Sequence, residues 1–220
     1  MASYNFRNKY MVDVVANRYG TSVLLKGDKF RFYPAVSAAW VLSNEDFLKD
    51  WSFVDLLKLR LSYGRSAVDN LAYGLGKHYW SSLREYYFGD SNTEVSGYLE
   101  RKIPMRSLEL ETADKYNIGL DVQLFKKLSF TADMYYDKRS NILVSNNKVS
   151  GMIGIDVPQQ NVGKVESKGL ELSLGWNDKI RDFRYYINGN VSFMDSKVLE
   201  NGEGYQPYDY LYAKGHKVGQ

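Results

Sequence analysis

The sequence predicts an all-β chain, an antiparallel, up-and-down segment of a transmembrane β-barrel with long extracellular loops. About seven or eight strands of a larger wall are present. Three observations predict this. Seven stretches alternate apolar and polar residues, as a strand must when one face meets lipid and the other water. The connections between them run alternately long and short, the pattern of a barrel with tight turns at one end and loops at the other. No stretch approaches the ~20 consecutive apolar residues of a membrane helix, and the mean hydropathy is −0.44, so any crossing of a membrane falls to strands.

The first strand is expected at about Lys9 to Asn17, with Tyr10, Val12, Val14 and Ala16 on one face and Asp13 opposite. After "RYGTSVLLKGDKFRF" the second runs about Pro34 to Leu42, with Pro34 at its start, the position a strand tolerates. In "SNEDFLKDWSFVD", Ser43 or Asn44 can cap one or two helical turns that carry Glu45 and Asp46 in the favourable first turn. The third strand sets Leu57, Leu59, Leu61 and Tyr63 against Lys58, Arg60 and Ser62. About fifty residues, Gly64 to Lys115, then show no sustained alternation, and loops of that length are usually functional or disordered.

The clearest pair follows. "YNIGLDVQL" places Tyr116, Ile118, Leu120, Val122 and Leu124 on one face, with Asn117, Gly119, Asp121 and Gln123 on the other. "LSFTADMYY" restarts the pattern, with Asp133 on its polar side. After Arg139 comes a second long connection with Gly151, Gly154 and Pro158. The sixth strand begins near Glu166 and carries Leu170, Leu172, Leu174 and Trp176; the seventh spans about Tyr185 to Phe193. The last polar stretch has no clear strand. Bacterial single-chain barrels have an even number of strands, and an open sheet leaves bare backbone in lipid. Residues 1–220 therefore read as one partial barrel domain.

Composition excludes several function classes. Acids and bases are interspersed with a net charge of +3, so no basic stripe marks a nucleic-acid partner. Cys is absent, which removes thiolate metal sites, disulfides and cysteine nucleophiles. His78 and His216 lack ligand spacing to each other, so no metal is expected. There is no GxSxG, Walker loop or HExxH, and acid pairs such as Glu109 and Glu111 are too common to imply glycosidase chemistry. Neither an enzyme nor a cofactor is expected. Aromatics reach 15%, with 19 Tyr, the residue suited to the edges of a lipid layer. The N-terminus "MASYNFRNKYMVDVV" lacks the charged segment and apolar core of a signal peptide, so an exported chain would take its signal from sequence outside these residues.

Four segments, in order, carry a resemblance: "FRFYPAVSAAWVLSNEDFLKD", "LKLRLSYGRSAVDN", "YNIGLDVQLFKKLSFTADMYYDKRSNIL" and "NVGKVESKGLELSLGWN". Over about Arg31 to Trp176 the chain resembles the barrel of SusC/RagA-type TonB-dependent outer-membrane transporters of Bacteroidetes. It departs from that pattern at Ala39, where Gly is usual, and at Ser66 to Asp69, where Thr-Gly-Asn is usual. The resemblance implies a parent barrel of about 22 strands around a plug, in the outer membrane of a Gram-negative, Bacteroidetes-like cell. Its implied partners are outer-membrane lipid, a SusD-like lipoprotein lid, the TonB complex and an oligosaccharide or peptide substrate. The plug, the TonB-contacting motif and the closing strands are expected outside this chain.

Two groups are candidate sites. Tyr79, Trp80, Tyr86, Tyr87 and Phe88 of "HYWSSLREYYF" form an aromatic loop that would stack on sugar rings or meet the lid; alternatively they pack the loop onto the rim. Asp13, Arg60, Asp121, Gln123 and Asp133 fall on polar strand faces and would line a hydrated lumen; alternatively the acids are simply solvated, or pair with an arginine across the wall. In "NVGKVESKG", Gly163 and Gly169 read as backbone close-approach points, and Glu166 and Lys168 as a solvated pair. The rival from another class is a soluble or secreted antiparallel β domain that binds carbohydrate through the Tyr/Trp loop, its apolar faces buried in a core.

Overall fold

The computed structural model describes residues 1–24, 29–48, 50–72, 74–90, 93–149, 152 and 154–219, without the side chains of 83–86 and 88. Ten strands are found there: β1 (Ala2–Phe6), β2 (Tyr10–Gly20), β3 (Phe30–Val41), β4 (Val54–Val68), β5 (Tyr79–Phe88), β6 (Thr93–Lys102), β7 (Glu111–Leu124), β8 (Leu128–Val144), β9 (Gln160–Ile180) and β10 (Phe183–Glu200). Eight form one antiparallel sheet in the order β1-β2-β3-β4-β7-β8-β9-β10, and β5 and β6 make a separate two-stranded sheet. β1 and β10 are the edge strands and do not pair with each other, the backbone of β10 being met on its outer side only at Val198, by Gly215 and His216, among the described residues, so the barrel is not closed.

Neighbours in sequence are neighbours in the sheet, apart from the inserted hairpin. At one end the strands are joined by residues 7–9, 42–53, 125–127 and 181–182; at the other by 21–29, 69–110 and 145–159. The tight turns follow from backbone twist. Arg7 and Asn8, and Phe125 and Lys126, all take positive φ, the paired left-handed geometry that matches the twist of two flanking strands.

Register sorts the side chains into two faces. Tyr63 lies opposite Tyr116, which lies opposite Tyr136. The following rows on that face are Leu61–Ile118–Met134–Leu170–Phe193, then Leu59–Leu120–Ala132–Leu172–Val191, then Leu57–Val122–Phe130–Leu174–Gly189. None carries a charge. The opposite face carries Arg60–Gly119–Asp133–Glu171–Ser192 and Lys58–Asp121–Thr131–Ser173–Asn190.

A soluble sandwich would bury the apolar rows. Here Ile118, Met134, Leu174 and Phe193 are 52%, 60%, 53% and 61% exposed. The buried cluster lies instead at the long-connection end, where Leu24, Leu75, Met105, Leu108 and Leu110 of the loops gather with Tyr33 of β3. Hydrophobic burial thus secures the loops, while the wall itself is held by its hydrogen-bonded ladder.

Several expectations are corrected. β1 was not expected, and the segment from Gly64 to Lys115 contains the β5–β6 hairpin. β8 continues to Val144 and β9 begins at Gln160, so the connection after Arg139 is shorter than the alternation suggests. Pro34 lies inside β3, opposite Ala16, just where pairing to β4 stops at Ala35; the strand edge free of β4 there is where a sheet admits proline. The helical turns capped by Ser43 or Asn44 reduce to one 3-10 turn, Leu42–Asn44, without a side-chain cap. Asn44 instead donates through Nδ2 to the Asn8 carbonyl at 2.8 Å.

Glu45, just after that turn, ties three elements together. It accepts from Lys9 Nζ at 2.9 Å, Tyr10 Oη at 2.7 Å and Trp40 Nε1 at 3.1 Å. Those three donors favour the carboxylate and lower its pKa to about 2. A carboxyl whose folded pKa lies below its unfolded value contributes stability above the unfolded value, and that stability is lost as pH falls through the folded one. Between pH 5 and pH 2 the protein should therefore lose stability in a step that Glu45→Gln lacks. Denaturant titrations at pH 7 and pH 3 check this, and identical pH profiles for the two proteins would reject it.

Candidate functional site

Two structures carry the candidate residues: the polar face of the sheet and the aromatic hairpin. On the polar face, Asp13, Arg60, Asp121, Gln123 and Asp133 all share one side of the sheet by register. Three of them meet. Arg60 Nε donates to Asp121 Oδ2 at 2.8 Å and Nη2 to Asp121 Oδ1 at 3.0 Å, a two-pronged contact that suits a planar guanidinium. Nη2 also donates to Asp133 Oδ2 at 3.1 Å. The strands dictate the geometry: Arg60 lies opposite Gly119, and Gly119 lies opposite Asp133. A Cβ at Gly119 would come within 2.6 Å of Arg60 Cζ and Asp133 Oδ1, so the missing side chain is what lets the guanidinium lie flat across the central strand.

The other two stand apart from this triad. Asp13 accepts from Ser37 Oγ at 3.3 Å on the row towards the loops. Gln123, opposite Ser129, is exposed near the tight-turn end.

On the hairpin, Tyr79, Trp80 and Tyr87 are 63%, 57% and 61% exposed. The side chains of Tyr86 and Phe88 lie outside the described residues. Register shifts interrupt the β5–β6 ladder at Tyr79/Trp80 and between Leu83 and Tyr86. Trp80, opposite Glu100, shares a face with Tyr98, which is 76% exposed and was not singled out from sequence. Tyr87 is seven residues beyond Trp80, roughly 23 Å along a strand, so the described rings do not converge on one pocket. Met105 N donates to the Leu75 carbonyl at 2.9 Å and Ile103 N to the Asp156 carbonyl at 3.3 Å, joining the hairpin's base to its neighbours.

The "NVGKVESKG" segment holds a residue that sequence reading missed. Asn161 Nδ2 donates to the Glu109 and Asn141 carbonyls, both at 2.9 Å, and Oδ1 accepts from Glu109 N at 3.1 Å. It pins the approach to β7 against a bend in β8, where Asn141 takes φ +60. At Gly163 a Cβ would meet Ile142 Cβ at 2.9 Å, and at Gly169 the Tyr135 ring at 2.5 Å. Glu166 is not simply solvated: it accepts from Tyr136 Oη at 3.0 Å.

Where the apolar rows end, aromatic residues appear at both ends. On the loop side, Tyr63, Tyr116 and Tyr136 lie side by side in one row, with ring centroids 5.0 and 6.2 Å apart. At the tight-turn end, Tyr10 stacks on Trp40 at 6.1 Å and Phe53 on Phe125 at 5.9 Å. From Tyr116 to Phe125 is nine residues, roughly 30 Å of strand. At a barrel tilt of about 40° that spans roughly 23 Å, close to the ~25 Å apolar band of an outer-membrane wall. Among the described residues, no cluster of His, Cys, Asp and Glu could hold a metal ion.

With that geometry in view, the sequence matches the family described as "TonB dependent receptor-like, beta-barrel" over residues 3–216. The chain belongs to that family. Among relatives, TonB-dependent receptor P39 of Formosa agariphila is 28% identical over 221 residues, taking in 98% of this chain and 20% of that protein. TonB-dependent receptor SusC of Bacteroides thetaiotaomicron is 24% identical, across 99% of this chain and 22% of its own length. A chain of the RagAB peptide importer in its "open-open" state superposes with a TM-score of 0.78 at 19% identity, over 90% of this chain and 21% of that one. At that identity the likeness concerns the fold. This TonB-dependent receptor segment spans about a fifth of the length of the curated relatives it matches.

Proposed function

We propose that the chain is a stretch of barrel wall in a SusC-like outer-membrane transporter, one that imports glycans or peptides with a SusD-like lipoprotein lid and energy delivered by the TonB complex. The observation that carries this reading is the uncharged, half-exposed band bounded by aromatic residues at both ends, on a sheet whose edge strands β1 and β10 do not pair with each other. In this reading the band holds the wall in lipid. The polar face with Arg60, Asp121 and Asp133 encloses a hydrated lumen and plug. The long connections, with Tyr79, Trp80 and Tyr87, contribute to the outer ligand and lid surface. The wall supplies containment and contact, and no step of bond making.

The test uses the full-length receptor that carries this segment, affinity-tagged in its own cell. We expect it in the outer-membrane fraction, with a gel mobility that shifts on boiling and a lipoprotein co-purifying. Uptake of a labelled oligosaccharide or peptide should stop when TonB is depleted. A monodisperse protein in detergent-free buffer would overturn the membrane reading, and TonB-independent uptake would overturn the transport mechanism.

A further inference from the structure

We propose that the outer face of β7–β10 holds one phosphate-bearing lipid of the leaflet on the loop side, its chain in a groove of the wall and its phosphate against Lys138, Lys168 and Lys197. The inference rests on the reading that this band is immersed in lipid.

The groove encloses about 530 Å³. Six apolar or aromatic side chains of the lipid-facing rows line it: Tyr116, Ile118, Met134, Tyr136, Leu170 and Phe193. Its upper rim carries Lys168 and Asp195, and Asp195 already binds Lys217 at 3.1 Å. One row higher, register sets Arg65–Asp114–Lys138–Glu166–Lys197 side by side on the same face. Arg65 is taken by Asp114, with Nε 2.7 Å from Oδ1.

That leaves a cationic surplus. Lys138 and Lys197 flank Glu166 on either side, and Lys168 lies two residues from it on the same strand face. All three lysines are exposed, and among the described residues none of them forms an ion pair. Three lysines thus flank Glu166, with Cβ spacings of about 5 Å across strands and about 7 Å along the strand, while Asp114 and Asp195, opposite Lys138 and Lys168, are already paired with Arg65 and Lys217. Lysine stems are long enough to converge on one anion from such positions. A positive cluster set directly over an apolar groove complements a molecule with an anionic head and a hydrocarbon tail.

The test is photocrosslinking of the full-length receptor with sub-saturating phosphatidic acid that carries a photoactivatable acyl chain. Crosslinked peptides are mapped by mass spectrometry, and heat-modifiability is measured on the same samples. Label should concentrate on Met134, Leu170 and Phe193. It should fall about a hundredfold in the K138Q/K168Q/K197Q variant, each lysine near a membrane surface being worth roughly a factor of five. The K138R/K168R/K197R variant should keep it, and Glu166→Gln should raise it several-fold. Unchanged label in the glutamine variant, or equal local labelling by a diacylglycerol analogue without phosphate, would overturn the proposal while the barrel reading stood. Loss of the heat-modifiable band in the wild-type protein would overturn both.

Discussion

Leu120→Arg is expected to destabilise the assembled barrel by about 2–4 kcal/mol, the cost of a cation at the middle of the hydrocarbon layer. Leu120 sits midway between Tyr116 and Phe125, in a row whose members, Leu59, Leu120, Ala132, Leu172 and Val191, are all uncharged. The same substitution at Tyr116, in the tyrosine row, should cost only about 0–1 kcal/mol, because arginine there reaches water. Lys138→Ala, one row higher, should fall within ±0.5 kcal/mol, as exposed surface changes do. Urea titration of the heat-modifiable band of the full-length receptor in lipid measures all three. The gradient is the diagnostic, since a protein core punishes a buried charge at every depth. Equal costs at Leu120 and Tyr116 would reject lipid immersion.

The second large effect is expected at Arg60. Its guanidinium pairs with two carboxylates at once, and its side chain is 32% exposed, with those of Asp121 and Asp133 at 24% and 20%. Surface pairs are worth ~0–1 kcal/mol, whereas removing one partner of a fully buried pair costs ~3–5. This half-buried triad lies between, so Arg60→Leu should cost about 1–3 kcal/mol. The loss comes from leaving Asp121 and Asp133 beside each other without the guanidinium that bridges them, Lys58 standing opposite Asp121 alone. Adding Asp121→Asn and Asp133→Asn should therefore restore most of it. Failure of the triple variant to recover would assign the effect to lost packing of the arginine stem.

Much of the wall is legible in sequence because lipid imposes it. Where a strand separates hydrocarbon from water, side-chain character must alternate, and β7, β8 and β10 can be traced residue by residue. β1 is too short to show a period, with only Ala2, Tyr4 and Phe6 against Ser3 and Asn5. The β5–β6 hairpin stays hidden for another reason. Its described side chains are mostly exposed, so nothing selects apolar residues at every second position, and the bulges at Tyr79/Trp80 and Leu83/Tyr86 shift its phase. The outer parts of β8 and β9, beyond the tyrosine row, escape because register shifts at Arg139/Ile142 and Ile142/Leu143 break the alternation there.

The site was less legible than the wall. That Asp121 and Asp133 share a polar face follows from alternation; that both meet Arg60 across Gly119 depends on register, which no local pattern encodes. Glu45 and Asn161 act through partners far away in sequence. Neither sits in a composition that marks it out, so only the folded chain shows that one clamps the tight-turn end and the other the approach to β7.

The length of β9 has a consequence for how a lid could be attached. β9 begins at Gln160 but reaches the tyrosine row only at Lys168, opposite Tyr136. Those eight steps are about 27 Å of strand, a parapet roughly 20 Å high at a tilt of about 40°. A partner moored by an acyl chain in the adjoining leaflet must climb that height before its folded body touches the rim. At about 3.4 Å per extended residue, its tether needs roughly six residues. Shortening the tether below that should hold the partner off the mouth, whatever the affinity of the two folded surfaces.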